Sequence, residues 1–208
     1  MWSYVVVGII AYLLGSISFS IIFSKKFAGF DVREKGSKNA GTTNVLRTVG
    51  KKAAAITLVC DILKGLVSVL IAYLIGRIWV PEQTFILVQI AGVCAVLGHT
   101  FPVFFKFKGG KGVATCIGLL LIMNYQIGLI CLVFGIVLIL LTRMVSLGSI
   151  MAAILFPVLT IFIRDNYLAE GNYIVFGVLI AVLVVFNHRK NIQRILAGNE
   201  NKLSFGKK

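Results

Sequence analysis

The feature that most limits what this chain can fold into is its succession of long apolar runs: Tyr4–Phe23, Ala53–Ile75, Thr84–Phe105, Val113–Leu141, Val145–Ile163 and Tyr173–Asn187. A helix needs about 20 mainly apolar residues to cross the hydrocarbon core of a bilayer. Only 13% of the 208 residues are charged, against about 25% in an ordinary soluble domain. Too little polar surface is left to cover a water-soluble globule. The chain reads as an all-α membrane protein, a single domain over residues 1–208.

One run is ambiguous. Val113–Leu141 is long for one span and short for two, and its only polar break is Met123-Asn-Tyr-Gln126. Lysine and arginine collect on the cytoplasmic side of a membrane, and this bias decides between the alternatives. If the run is two helices, the segment 24–52, the 106–111 loop, Arg143 and the C-terminal tail share one side, and only Arg77 and Arg164 lie on the other. If it is one helix, the tail and Arg143 change sides and the bias nearly vanishes. The expectation is therefore seven transmembrane helices, N-terminus outside and C-terminus cytoplasmic. The start, Met1-Trp-Ser-Tyr, carries no basic stretch, so the first run is expected to be a retained helix and not a removed signal peptide.

A net charge of +14 in a soluble chain would point to nucleic acid. Here the cations sit in short blocks between apolar runs, as orientation signals do, and no nucleic-acid partner is expected. Cys60, Cys94, Cys116 and Cys131 lie inside apolar runs without metal-ligand spacing. They read as small core residues.

The polar stretches with unusual chemistry all fall in loops of the predicted inner side. In Gly98-His-Thr-Phe-Pro-Val-Phe-Phe-Lys-Phe-Lys-Gly-Gly-Lys-Gly-Val-Ala-Thr115, glycines free the backbone to turn N–H groups toward one anion, and Lys108 and Lys111 add charge. His99, Gly109, Gly110, Gly112 and Thr115 complete that candidate site, and a helix starting near Val113 would add the positive end of its dipole. The spacing is not that of a Walker A loop, whose first glycine would fall on Phe105. The earlier segment around Gly36 and Gly41 offers Ser37, Asn39, Thr42, Thr43 and Asn44 as small donors for a phosphate or glycerol oxygen, with Arg47 able to grip phosphate bidentately. A solvated, turn-rich linker is the plainer alternative for that segment.

Asp61 and Lys64 share a helix face inside the second run, where ionisable groups are expensive. With both signs present, a structural ion pair is expected. Ser146 follows Arg143 where the chain re-enters the membrane. In the tail, His188 and Asn191 are three residues apart at the inner boundary, ringed by Arg189, Lys190 and Arg194.

Three of these stretches together resemble one family. Gly36-Ser-Lys-Asn-Ala-Gly-Thr-Thr-Asn-Val-Leu-Arg47, Gly98-His-Thr-Phe-Pro through Gly-Gly-Lys-Gly-Val-Ala-Thr115, and His188-Arg-Lys-Asn-Ile-Gln-Arg through Gly-Asn-Glu-Asn-Lys202 are similar to the three cytoplasmic motifs of the bacterial acyl-phosphate:glycerol-3-phosphate acyltransferases, the PlsY family. The resemblance runs nearly end to end, with Gly15-Ser-Ile and Asp61-Ile-Leu-Lys-Gly65 included. It implies seven spanning helices and transfer of an acyl chain from acyl phosphate to the 1-hydroxyl of glycerol 3-phosphate, giving lysophosphatidic acid and phosphate. It also implies a multi-pass protein of the bacterial cytoplasmic membrane, acting on its inner side as a monomer without cofactor or metal. By resemblance Ser37 and Arg47 belong to the essential first motif, the glycine-lysine loop and Thr115 help hold phosphate, Ser146 lies in the matching inner loop, His188 and Asn191 sit in the active centre, and Glu200 is a structural brace. Lys38 stands where the family usually has glycine, so the turn there is expected to differ.

The residues suit that reaction on their own terms. Both substrates are phosphate anions, one bears a fatty chain, and an acyl phosphate needs little activation of its leaving group. The protein's tasks are to align two anions and to assist loss of one hydroxyl proton. Either His188 or the substrate's own phosphate could take it. The sequence places no carboxylate to set the imidazole's tautomer, which favours the phosphate. A transporter of organic phosphates is the rival reading; it would call for inverted repeats and an outer polar cluster, and the sequence has neither.

Overall fold

In a computed structural model that describes residues 2–164 and 167–203, each apolar run is helical. Lipid offers no partner to a backbone N–H or C=O, and a helix satisfies both within its own segment. In chain order the α-helices are α1 Trp2–Gly15, α2 Phe19–Ala28, α3 Thr42–Thr48, α4 Lys51–Trp79, α5 Thr84–Thr100, α6 Val113–Met123, α7 Tyr125–Thr142, α8 Val145–Phe162, α9 Ile174–Asn187 and α10 Arg189–Leu196.

Among the described residues, five stretches are long and apolar enough to cross a membrane: Trp2–Ala28, Lys51–Trp79, Pro81–Phe105, Tyr125–Thr142 and Val145–Phe162. A sixth is formed if α9 and α10, bent by 62° at His188, count as one. With 11 residues, α6 is too short to qualify by length. The chain is a multi-pass membrane protein, and among the described residues its regular structure is all helical. The ambiguous run divides at Asn124, whose side chain accepts a hydrogen bond from the Ile127 amide at 2.9 Å and so caps α7. The first run also breaks, between Gly15 and Phe19, and the carbonyl of Ile17 in that break accepts a bond from Lys64.

The described residues form two compact units, one built from residues up to Met123 with Tyr167–Gly171, the other from the remainder. In the first, α5 packs on α1 and α4, and α6 packs on α4. Lipid tails are as apolar as leucine side chains, so helices in a membrane associate by close packing and not by expelling water. The α4–α6 contact shows this: a Cβ at Gly118 would collide with the Ile62 carbonyl, and one at Gly65 with the Thr115 carbonyl. At the loop end of this unit Ile21, Val32, Ala40, Val45, Ala53 and Ala54 form a buried cluster, with Val49 and Phe105 against it. That cluster is the floor under the first polar segment. In the second unit α8 packs on α7 and α9, with the Phe156 and Phe176 rings edge to face at 5.9 Å.

Candidate active site

Within the first unit, two of the polar segments are built onto each other. Asp31 caps a short 3₁₀ turn, Val32–Glu34, by accepting from the Arg33 amide. The Arg33 guanidinium then grips Asp31 with two bonds of 3.0 and 2.8 Å, and its remaining nitrogen donates to the carbonyls of Phe105 (2.8 Å) and Lys108 (3.0 Å). The hydrogen bond from Arg33, against an opposing push from burial, holds the Asp31 carboxyl below the ordinary carboxylate range. One arginine thus ties the 31–34 turn to the lysine-bearing loop. In sequence Arg33 is one of the cations of segment 24–52, and the Asp-x-Arg spacing at 31 and 33 is the signal that marks it.

Asn44 organises the turn that carries Ser37. Its side-chain oxygen accepts from the Ser37 amide, and its nitrogen donates to the carbonyls of Val32, Lys35 and Asn39. Both ends of this amide face backbone, in place of the substrate oxygen expected for it. Ser37 itself is exposed, as is Arg47 in the last turn of α3, while Asn39, Thr42 and Thr43 are half-buried. Lys38 corrects another expectation: at φ 58° it adopts the left-handed geometry that glycine would supply, so the turn is kept and the lysine carries the strain.

In the glycine loop, the expectation that successive amides point at one anion fails at two positions. The Gly109 and Gly110 amides donate to the carbonyls of Thr100 and His99, both at 3.0 Å, closing the loop on the end of α5. Glycine is needed at 110 for another reason: a Cβ there would collide with Nε2 of His99 and the carbonyl of Ala40. Gly110 therefore lies where the second polar segment meets the first. Lys108 is exposed, and Lys111 half-buried beside the buried Gly112. As expected, α6 starts at Val113. Thr115, in its first turn, is fully buried with no hydrogen-bond partner for Oγ1 among the described residues.

Behind this loop lies the ion pair. Lys64 Nζ is 2.8 Å from Asp61 Oδ1 and donates to the Ile17 carbonyl at 2.7 Å, with both side chains at most 3% exposed. His99 Nδ1 lies 3.6 Å from the same carboxylate oxygen.

The second unit holds its own cluster. Glu200 Oε1 accepts from Asn191 Nδ2 (2.7 Å) and Ser146 Oγ (3.0 Å), and Oε2 accepts from Arg194 Nε (2.8 Å). Burial raises the Glu200 carboxyl, but the bonds from Asn191, Arg194 and Ser146 outweigh it and hold it below the usual range. The tail is pinned further where the Leu203 amide donates to the Arg143 carbonyl. His188, buried at the bend between α9 and α10, places Nδ1 2.7 Å from the Val184 carbonyl. A carbonyl can only accept, so Nδ1 carries the hydrogen and the basic lone pair of the neutral ring is on Nε2. The tautomer is set after all, by backbone and not by a carboxylate. Among the described residues no group of three His, Cys, Asp or Glu side chains is placed to hold a metal.

Residues 5–198 match the family described as glycerol-3-phosphate acyltransferase. A glycerol-3-phosphate acyltransferase of Clostridioides difficile (strain 630) is 42% identical, over 98% of this chain and 97% of the relative. One of Thermoanaerobacter sp. (strain X514) is 44% identical, over 96% and 95%. The crystal structure of PlsY, an integral membrane glycerol 3-phosphate acyltransferase, is similar in its glycerol 3-phosphate form (TM-score 0.85, 35% identity, 97% of this chain and 96% of that one). Its lysophosphatidic acid form is similar too, with TM-score 0.83 and 34% identity over the same shares.

Proposed function

The chain belongs to the glycerol-3-phosphate acyltransferase family, and on that premise we propose that it moves a fatty acyl group from acyl phosphate to the 1-hydroxyl of glycerol 3-phosphate. The hydroxyl oxygen attacks the acyl carbonyl carbon, the new ester C–O bond forms, and the anhydride C–O bond breaks. The products are 1-acyl-glycerol 3-phosphate and inorganic phosphate. The topology that goes with this is seven spans in the bacterial cytoplasmic membrane, N-terminus out, with the chemistry at the cytoplasmic face.

The observation that carries the reading is the packing of the Ser37 turn against the glycine-lysine loop, through Arg33 and through Ala40 on Gly110. Ser37, Asn39, Thr42, Thr43 and Arg47 from one segment, and Lys108, Lys111 and Thr115 from the other, supply cations and hydroxyls for phosphate oxygens. Fixed donors of this kind offset the repulsion between two anionic reactants without reorganising during the reaction. A phosphate leaving group needs no acid catalyst, so the remaining demand is the hydroxyl proton. His188, with the hydrogen held on Nδ1 by Val184, has its basic nitrogen on Nε2 and serves as general base. Asn191 and Ser146, oriented through Glu200, position the reacting groups.

Purified protein in detergent, given glycerol 3-phosphate with either acyl phosphate or acyl-CoA, tests the reading. Phosphate release and ester formation are expected with acyl phosphate only. Equal or better turnover of acyl-CoA would overturn the donor assignment. His188→Ala retaining activity within about tenfold of wild type would remove His188 from the chemistry.

A further inference from the structure

We propose that Asp61 and Lys64, deep in the spanning helix α4, are positioning residues that fix the ring of His99 and thereby the face it turns toward the glycine loop. The inference rests on the acyl-transfer reading of that loop.

A buried ion pair needs no third member, and two well-packed apolar side chains would often serve stability as well. This pair has one. Lys64 is held on one side by the Ile17 carbonyl at 2.7 Å and on the other by Asp61 at 2.8 Å, which anchors Oδ1 of the carboxylate. His99 Nδ1 lies 3.6 Å from the same Asp61 oxygen. That separation is an ion-pair contact and longer than a hydrogen bond, and the nitrogen has no hydrogen-bond partner among the described residues, so the carboxylate is the charge it faces. A carboxylate facing Nδ1 attracts the N–H dipole and repels a lone pair, so the hydrogen of the neutral ring belongs on Nδ1. The opposite nitrogen, Nε2, is the one a Cβ at Gly110 would strike. Asp61 therefore sets which face of the imidazole, and with which protonation, lies against the loop.

The same turn of α4 reaches the far end of the loop as well. Gly65, directly after Lys64, lies so close to the Thr115 carbonyl that no Cβ fits between them. His99 precedes the loop and Thr115 follows it. One helical turn, residues 61–65, thus holds both flanks, while Gly110 is held between them by its bond to the His99 carbonyl.

The chain contains two histidines, so histidine-selective ¹⁵N labelling gives two ring spin systems, separable with His188→Gln. At about pH 8.5, where an ordinary imidazole is neutral, both wild-type rings are expected as the Nδ1–H tautomer. In the double variant Asp61→Asn with Lys64→Met, His99 is expected to shift to a mixture with Nε2–H while His188 is unchanged. The KM for glycerol 3-phosphate or acyl phosphate should rise about tenfold or more, with kcat falling less. A wild-type His99 in the Nε2–H form overturns the proposal without any variant. So does a double variant with an unaltered His99 tautomer or with kinetic constants within about twofold of wild type. Should wild type fail to turn over acyl phosphate, the reading of the function falls while the tautomer result still decides the role of Asp61.

Discussion

Replacing Asn44 tests the architecture of the Ser37 turn most sharply, because alanine and aspartate make opposite demands on the same space. The side chain is 1% exposed and faces four backbone groups: it accepts from Ser37 at 2.9 Å and donates to Val32, Lys35 and Asn39 at 2.8, 3.0 and 3.1 Å. The amide nitrogen has two hydrogens for three carbonyls, so Asn44→Ala removes about three hydrogen bonds' worth of interaction at about 1 kcal/mol each. Lys35 and Ser37 are exposed and recover water, whereas Val32 is fully buried and its carbonyl stays dry. A local loss of about 2–3 kcal/mol follows, equal to an opening of the turn about 30- to 150-fold more frequent. Asn44→Asp keeps the volume but turns an acceptor toward three carbonyl oxygens, adding at least about 1 kcal/mol. Hydrogen–deuterium exchange in detergent, reading residues 35–39 with α4 as internal reference, checks both. Exchange within about threefold of wild type for the alanine variant, or an aspartate variant no worse than alanine, would refute the reasoning.

Glu200→Gln keeps an acceptor for Asn191 and Ser146 but sets its amide hydrogens against Arg194. With the Arg194 side chain 35% exposed, the expected loss is about 1 kcal/mol, read as roughly a fivefold fall in kcat/KM, and Glu200→Ala should lose at least about tenfold. The folded Glu200 carboxyl lies below its ordinary 4.5, so its stabilising contribution is complete above that value and is lost as acid passes below it. Melting temperature should therefore be flat from about pH 6 to 8; Glu200→Gln should lower that plateau and converge with wild type on the acid limb, where the Glu200 contribution is already lost. Arg33→Lys keeps the charge but cannot span Asp31 and two carbonyls at once; kcat/KM should fall about fivefold or more, and retention of full activity would discount the clamp. Lys38→Gly removes about 1–2 kcal/mol of left-handed strain and adds about 0.5–1 kcal/mol of unfolded-state entropy, so thermal unfolding should show unchanged or slightly raised stability.

What the letters made legible follows from how lipid constrains a backbone. Apolar runs must be helical, so their placement could be read directly, and the buried, capping Asn124 is where a polar residue in an apolar run announces a break. The break in the first run had no such marker, since Ser16-Ile17-Ser18 is polar only through hydroxyls that helices tolerate. Candidate residues stood out by type, but their partners did not. Ser37 and Asn44 look equivalent as donors in sequence; the fold buries one against carbonyls and exposes the other. Gly109 and Gly110 look like a cradle of free amides, and the end of α5 takes both. Lys38 shows the limit of propensity: the turn's geometry, fixed by Asn44 and the packing beneath, overrides lysine's preference against positive φ.

These failures share a cause. The chain has 21 lysines and arginines against 7 acidic residues, so carboxylates cannot orient most of its polar side chains. Backbone carbonyls take a large share of that work: Ile17 for Lys64, Phe105 and Lys108 for Arg33, Val32, Lys35 and Asn39 for Asn44, and Val184 for His188. Most of these oxygens lie at helix breaks or in turns, where the regular helical ladder is interrupted. Lys64 and Arg33 keep a carboxylate partner as well, Asp61 and Asp31, so for these cations the carbonyls add direction to a charge already paired. The carboxylates that do take part, Asp31, Asp61 and Glu200, each hold a basic side chain whose geometry matters more than its charge. Carbonyl oxygens have no letter of their own, which is why residue types foretold the chemistry of this chain better than the contacts that aim it.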